Sequence, residues 1–277
     1  MDTTALPPSD VISVEYADHI ATVWLDRPRK LNAMAPNFWT EFPAIIEAVS
    51  DQDDVRVIVI AAKGRVFTAG LDLAEFAGLF AVADDQSMAK QNRALYQQIK
   101  LMQHTFTVLD KARQPVIAAI HGACIGAGMD LITAVDIRFA AANAKFAVRE
   151  TKIAITADVG TLQRLPRIIN RGEANELALT GRDFDAREAL RIGLVSKVLA
   201  DYEEVYTHAM AVGAEIAANS PLVVQGTKAV MKAGDDMSVD QALDYIALWN
   251  SSFLKSHDIG EAMNAFKENR APSFKGE

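Results

Sequence analysis

The stretch Val116-Ile117-Ala118-Ala119-Ile120-His121-Gly122-Ala123-Cys124-Ile125-Gly126-Ala127-Gly128-Met129-Asp130 decides the fold class. Its first five residues are apolar without polar alternation, the pattern of a strand buried on both faces. The glycines Gly122, Gly126 and Gly128 then turn the chain before a helix-like run opens around Asp130. A strand that passes through a glycine turn into a helix is the unit of an α/β sheet, and such sheets place ligands just beyond the C-terminal ends of their strands.

Working outward, the same unit recurs. The aliphatic run Val55 to Ala61 leads into Lys63-Gly64-Arg65-Val66-Phe67-Thr68-Ala69-Gly70-Leu71-Asp72-Leu73, a second glycine turn. Val11 to Tyr16 and Ile20 to Leu25 read as a hairpin about Ala17-Asp18-His19, and Ile137 to Ala141 as a further buried strand. Helical spacing predicts helices over Phe38 to Val49 and Met88 to Lys111. From Gly172 onward the apolar residues recur at helical spacing, through Ala186 to Ile192, Tyr202 to Ala218, Leu222 to Lys232, Val239 to Leu254 and Asp258 to Asn269. The expected organisation is an α/β core over 1–200 that holds the site, followed by a helical region over 201–277.

Composition narrows the function classes. At 277 residues and half apolar, the chain can bury one large core. A net charge of −8 argues against a phosphate-backbone surface, so nucleic acid is not an expected partner. The single cysteine, Cys124, forms no internal disulfide, and no cysteine and histidine spacing suits a metal. Met1 to Pro8 has neither a basic nor an apolar leader pattern, and no apolar run is long enough to span a bilayer, so no membrane association and a cytoplasmic location are expected.

The chemistry-bearing residues are three acids beside glycine turns: Asp130, and the pair that brackets Glu150-Thr151-Lys152-Ile153-Ala154-Ile155-Thr156-Ala157-Asp158. Burial raises a carboxyl pKa toward neutrality, which lets the group both take and give a proton. Two glycine turns can also present backbone N–H groups to developing negative charge. Each residue has a plainer reading. An aspartate at a helix start is commonly a cap, a lone Glu150 a solvated charge, His121 a structural hydrogen-bonding group, Cys124 core filler, and Arg29 and Lys30 surface charges. Glu75 is expected in the helix after the first turn, supporting its terminus.

At these residues the chain resembles the crotonase superfamily, also called the enoyl-CoA hydratase/isomerase family. Phe67-Thr68-Ala69-Gly70-Leu71-Asp72 with Glu75 is similar to the first family signature, and His121 to Leu131 to the second. Leu25-Asp26-Arg27-Pro28-Arg29-Lys30-Leu31-Asn32-Ala33-Met34, Ala134 to Arg138, Gly193-Leu194-Val195 and Ala265-Phe266-Lys267 extend the likeness over nearly the whole chain. The resemblance implies a spiral of repeated ββα units, a C-terminal helical region used for trimerisation, and a homotrimer or dimer of trimers. It implies acyl-CoA thioesters as substrates, in fatty-acid degradation, with no metal or other cofactor. It implies an oxyanion hole from the N–H groups of Leu71 and Ala127, the latter standing where the family commonly has glycine. It also implies CoA contacts at Arg29, Lys30, Ala69, Leu71 and Asp72, and a variable acyl-pocket wall over Ala77 to Met88.

Within that family the acids discriminate. Hydratases carry glutamates at the positions of Asp130 and Glu150 and glycine at that of Asp158, whereas Glu150 to Pro166 here resembles the Δ3,5-Δ2,4-dienoyl-CoA isomerases. The resemblance implies that Asp158 removes a proton from C2, Glu150 delivers one at C6, and Asp130 orients and tunes Glu150. C2 and C6 are too far apart for one immobile carboxyl group to serve both. The alternatives are an enoyl-CoA hydratase that uses Asp130 and Glu150 alone or a monoenoyl isomerase, and a non-catalytic binding member of the fold. A serine peptidase on a related spiral would need a nucleophilic serine in a glycine turn, and neither turn carries one.

Overall fold

The computed structural model describes residues 6–76 and 87–277. Residues 1–5 and most of the expected acyl-pocket wall, 77–86, lie outside the described residues.

A six-stranded sheet forms the centre, with strands β1 (Ile12–Ala17), β2 (Ile20–Leu25), β3 (Val57–Ala62), β4 (Val116–Ile120), β6 (Ile137–Ala141) and β9 (Lys197–Leu199) in that order. All neighbours are parallel except the β1–β2 hairpin. A smaller sheet orders β5 (Ala123–Ile125), β7 (Lys145–Ala147) and β8 (Phe184–Asp185). Strands that follow one another in sequence, β4 then β5 and β6 then β7, thus go to different sheets before a helix begins. These are the ββα units the resemblance implies. The hairpin turn falls on Asp18 and His19, both at positive φ and within the expected Ala17-Asp18-His19; the first strand runs one residue later than its pattern suggests.

The apolar run in β3 is continuous because both faces of the strand are covered. Ile58, Ile60 and Ala62 enter the larger core with helices α1 (Phe38–Ser50) and α2 (Met88–Lys111). Val57, Val59 and Ala61 enter a second core beneath helix α7 (Tyr202–Ala217), through its Val205 and Ala209. The expected boundary at 200 therefore falls just before a helix that packs on the sheet. Between β5 and α7 lie the helices α3 (Ala127–Thr133), α4 (Thr161–Ile168), α5 (Arg171–Thr180) and α6 (Ala186–Arg191).

Beyond α7, α8 (Pro221–Gly234), α9 (Val239–Phe253) and α10 (His257–Glu268) form the tail. The buried carboxylate of Asp258 pins its end, accepting from Ser220 Oγ at 2.5 Å, Lys275 N at 2.9 Å and Gly276 N at 3.0 Å. These bonds hold the Asp258 carboxyl below its usual range against the opposing effect of burial, the largest single influence. No residue of α9 is buried.

Candidate active site

The two glycine turns are in backbone contact. Thr68 N donates to Ala123 O at 2.8 Å and Ile125 N to Thr68 O at 3.3 Å, forming a parallel bridge between Thr68 and Cys124. Gly70 sits at the contact with φ +85°, and a Cβ there would stand 2.5 Å from Ile125 O and 3.4 Å from Ala127 N. Both the dihedral and the space require glycine. The N–H groups of Leu71 and Ala127 are thus carried on touching segments, and neither meets an acceptor among the described residues. Ala127 is the first residue of α3, so its N–H belongs to the orphan donors of a helix start.

The other side of the first turn is held by the segment after β2. Ala69 N donates to Leu31 O at 3.0 Å, Met34 N to Gly70 O at 2.8 Å and Asp72 N to Met34 O at 3.1 Å. Arg27 clamps the ladder, donating to Asp72 Oδ2 at 2.7 Å, Ala33 O at 3.1 Å and Glu75 Oε1 at 2.5 Å. The Arg27 hydrogen bond holds the Asp72 carboxyl below its ordinary range. The five residues expected to contact CoA therefore cluster around one ladder. Arg29 and Lys30 are exposed in the 3-10 turn Pro28–Lys30, whereas the side chain of Asp72 is engaged by Arg27. Glu75 lies in a turn rather than in the expected helix, and its carboxylate serves the Arg27 clamp.

The three acids converge on this region. Asp130 lies inside α3 and is fully buried, and its Oδ1 accepts from Thr161 N at 2.6 Å and Thr161 Oγ1 at 2.7 Å. It does cap a helix, though not its own: the donors are the first residue of α4, which follows the Asp158 loop. Glu150 opens the 3-10 turn Glu150–Ile153, and its Oε1 lies 3.5 Å from where a Cβ on Gly126 would stand, beside the Ala127 donor. Glu150 Oε2 is buried and has no hydrogen-bond partner among the described residues. Asp158 lies in the half-buried loop between that turn and α4.

Their protonation follows from burial and mutual repulsion. Burial pushes Glu150 up to about 7, helped by the like charges of Asp130 and then Asp158. Asp130 is pushed up to about 6 by burial, although the Thr161 hydrogen bonds and the charge of Arg164 pull it down. Burial also raises Asp158. Near neutrality such a group can hold a proton on Glu150 while its partners are ionised.

Helix α2 braces the Asp158 loop through one face. Gln103, Thr107 and Asp110 stand at helical spacing of four and three residues. Gln103 Nε2 donates to Asp158 O at 2.8 Å, Arg164 Nη2 donates to Thr107 Oγ1 at 3.2 Å, and Arg164 Nε pairs with Asp110 at 3.5 Å. The sequence reading assigned none of these three to the site; the signal available was a polar stripe on a helix whose opposite face is apolar.

The other expectations resolve simply. His121 is buried, with Nε2 3.0 Å from Gly64 O, and desolvation lowers its pKa. Cys124 is buried and its thiol is pushed well up by burial, as befits core filler.

Comparison with known proteins identifies the family. Residues 15–277 match the family model described as enoyl-CoA hydratase/isomerase. The chain is 41% identical over 256 residues to the mitochondrial Delta(3,5)-Delta(2,4)-dienoyl-CoA isomerase of Dictyostelium discoideum, covering 92% of this chain and 87% of that protein. It is 43% identical over 251 residues to the peroxisomal Delta(3,5)-Delta(2,4)-dienoyl-CoA isomerase of Arabidopsis thaliana, covering 90% of each. Among solved structures, enoyl-CoA hydratase from Bacillus anthracis superposes with a TM-score of 0.87 at 32% identity, covering 97% of this chain and 100% of that one.

Proposed function

The chain belongs to the enoyl-CoA hydratase/isomerase family, and we infer that it converts 3,5-dienoyl-CoA to 2,4-dienoyl-CoA by carboxylate proton transfer. The observation that carries this reading is the meeting of Asp130, Glu150 and Asp158 in one electrostatically coupled group beside the N–H groups of Leu71 and Ala127, which meet no acceptor among the described residues. The relatives named as dienoyl-CoA isomerases support it.

In this reading the thioester oxygen accepts from Leu71 N and Ala127 N. Ionised Asp158 takes a proton from C2, and the electron pair delocalises as a dienolate whose charge rests on that oxygen. One preorganised donor there is worth roughly 3 kcal/mol. Protonated Glu150 then delivers its proton to C6 as the double bonds settle at C2 and C4. A proton returns from Asp158 to Glu150 before the next turnover. Only protons move, so the route calls for no metal or redox group. Asp130, held by Thr161, stays close enough to raise Glu150 and does not touch substrate.

Arg29, Lys30, Ala69, Leu71 and Asp72 form the proposed CoA-facing edge, with Asp72 acting through the Arg27 clamp. A homotrimer or dimer of trimers is proposed on the uncovered tail, where α9 exposes Val239, Leu243 and Leu248. Among the described residues no helix is long and apolar enough to cross a membrane. The proposed location is the cytoplasm, a reducing compartment that suits the free Cys124; the two relatives above are named for mitochondria and peroxisomes.

The deciding experiment supplies purified protein separately with 3,5-dienoyl-CoA and 2-enoyl-CoA. The expected result is growth of the 2,4-diene absorbance with the first and slow loss of the enoyl thioester chromophore with the second. Rapid hydration of 2-enoyl-CoA with 3,5-dienoyl-CoA left unchanged would replace this reading by a two-acid hydratase built on Asp130 and Glu150.

A further inference from the structure

Arg164 lies in α4 three residues after Thr161, whose N–H and hydroxyl both hold Asp130. The Arg164 side chain is 17% exposed, and Nη1 is buried with no hydrogen-bond partner among the described residues. A Cβ built on Gly160 would fall against that same Nη1, and Gly160 holds φ +139°, so the turn leaves room for the guanidinium by lacking a side chain. Gly160 is two residues from Asp158 and adjacent to Thr161, whose N–H and hydroxyl both hold Asp130. The orphan end of Arg164 is therefore packed against the backbone that carries two of the three acids' supports. Its other end is anchored on α2 through Thr107 and Asp110, and Asp110 is shared with Lys232 of α8 at 2.5 Å.

We propose that Arg164 is a positioning residue that keeps the proton of the acid group on Glu150 rather than on Asp130, by holding a fixed positive charge against the Gly160 turn. The proposal rests on the isomerase reading for its catalytic meaning, though the charge effect itself does not depend on substrate.

Among the described residues, the charged groups around Arg164 are Asp110 of α2, Lys232 and Lys228 of α8 on the far side of Asp110, and Asp130 of α3. Lys232 and Lys228 are already paired, with Asp110 and Asp136 respectively. Arg167 of α4 points its charge to Asp236 at 3.1 Å. Arg164, itself paired with Asp110 at 3.5 Å, also acts on Asp130, and its pull lowers the Asp130 carboxyl. An ionised Asp130 in turn raises Glu150. Without Arg164 the two carboxyls become similar in proton affinity and share one proton, so the fraction of molecules with protonated Glu150 beside ionised Asp130 falls.

The test reads Asp130 directly, without substrate. In a Glu150→Gln background Asp130 titrates without Glu150 beside it, and its protonated carboxyl is followed by infrared absorbance and identified by its loss on Asp130→Asn. Arg164→Met should move the Asp130 midpoint up by about one pH unit, and Arg164→Lys should restore most of that shift. An unchanged midpoint in Arg164→Met overturns the proposal, whatever reaction the protein catalyses. If Arg164→Met does not fold, Arg164→Gln decides: its amide can still donate to Thr107 without the charge, the midpoint should move up, and an unchanged or lower midpoint overturns the proposal. In the parent background, Arg164→Met should lower kcat for 3,5-dienoyl-CoA about tenfold with little change in KM. The same substitution made on Asp130→Asn should cost about twofold or less, because asparagine cannot take the proton. Equal losses in both backgrounds would mean that Arg164 serves structure alone.

Discussion

Asp130 and Thr161 are 31 residues apart in sequence and joined twice at a single oxygen, with Thr161 N and Thr161 Oγ1 both donating to Asp130 Oδ1 at 2.6 and 2.7 Å. One carboxylate in α3 thereby fixes the start of α4, and with it the loop that carries Asp158. Positioning of one acid and electrostatic tuning of another are the work of the same side chain.

The acids should not be equivalent on substitution. Asp158→Asn should lower kcat for dienoyl isomerisation about 1000-fold, within the range general acid–base groups contribute, because an amide cannot accept the C2 proton. Asp130→Asn keeps its Oδ1 as acceptor for Thr161 and should cost about tenfold. Steady-state kinetics on both variants checks this, and parental activity in Asp158→Asn would refute its role.

The rate should follow a bell in pH. Glu150 is needed protonated and is raised to about 7, so kcat should fall as pH rises through neutrality. Asp158 is needed ionised and is raised above its ordinary value, so activity should also fall on acidification, starting above the usual carboxylate range. Asp130→Asn removes the like charge that lifts Glu150, so the alkaline limb should move to lower pH. A pH profile of kcat with 3,5-dienoyl-CoA reads both limbs.

Stability should depend on pH with the opposite sign to that of a salt-bridged acid. The folded-state pKa of Asp130 is raised from 3.8 to about 6, so across that interval the folded protein holds a proton that the unfolded chain has released. Stability is therefore fully present below the unfolded pKa, declines as pH rises, and has lost roughly 3 kcal/mol above the folded value. Asp130→Asn should flatten this decline and be the more stable protein at about pH 8. Urea unfolding of parent and variant at about pH 5 and pH 8, at fixed protein concentration, measures the difference.

Gly70→Ala should be costly for both folding and catalysis. The new methyl group would meet Ile125 O at 2.5 Å at a backbone φ of +85°, so the two turns must separate and the Leu71 and Ala127 donors with them. The expected outcome is a stability loss of at least about 1 to 3 kcal/mol and a fall in kcat of about 100-fold or more per misplaced donor. Thermal unfolding and kinetics together check it, and an unchanged kcat would exclude Leu71 from the oxyanion site.

Much of this protein could be read from the chain alone, because the forces involved are local or periodic. The β4 strand Val116–Ile120 and the helix Met88–Lys111 coincide with their apolar patterns, since burial on both faces or on one stripe writes itself into sequence at fixed intervals. Glycines at the two turns were legible for the same reason: a backbone that must be approached closely, or must hold positive φ, admits little else. What the sequence could not decide was which polar groups meet across the fold. That Asp130 caps α4 rather than α3, that Glu75 and Asp72 both serve Arg27, and that Gln103, Thr107 and Asp110 brace the Asp158 loop are all contacts between segments distant in sequence. Such contacts have no period and no fixed spacing. The protonation of Glu150 belongs to the same class, because it depends on how much water the folded chain removes and how closely it sets one acid beside another, and only the tertiary structure fixes either quantity.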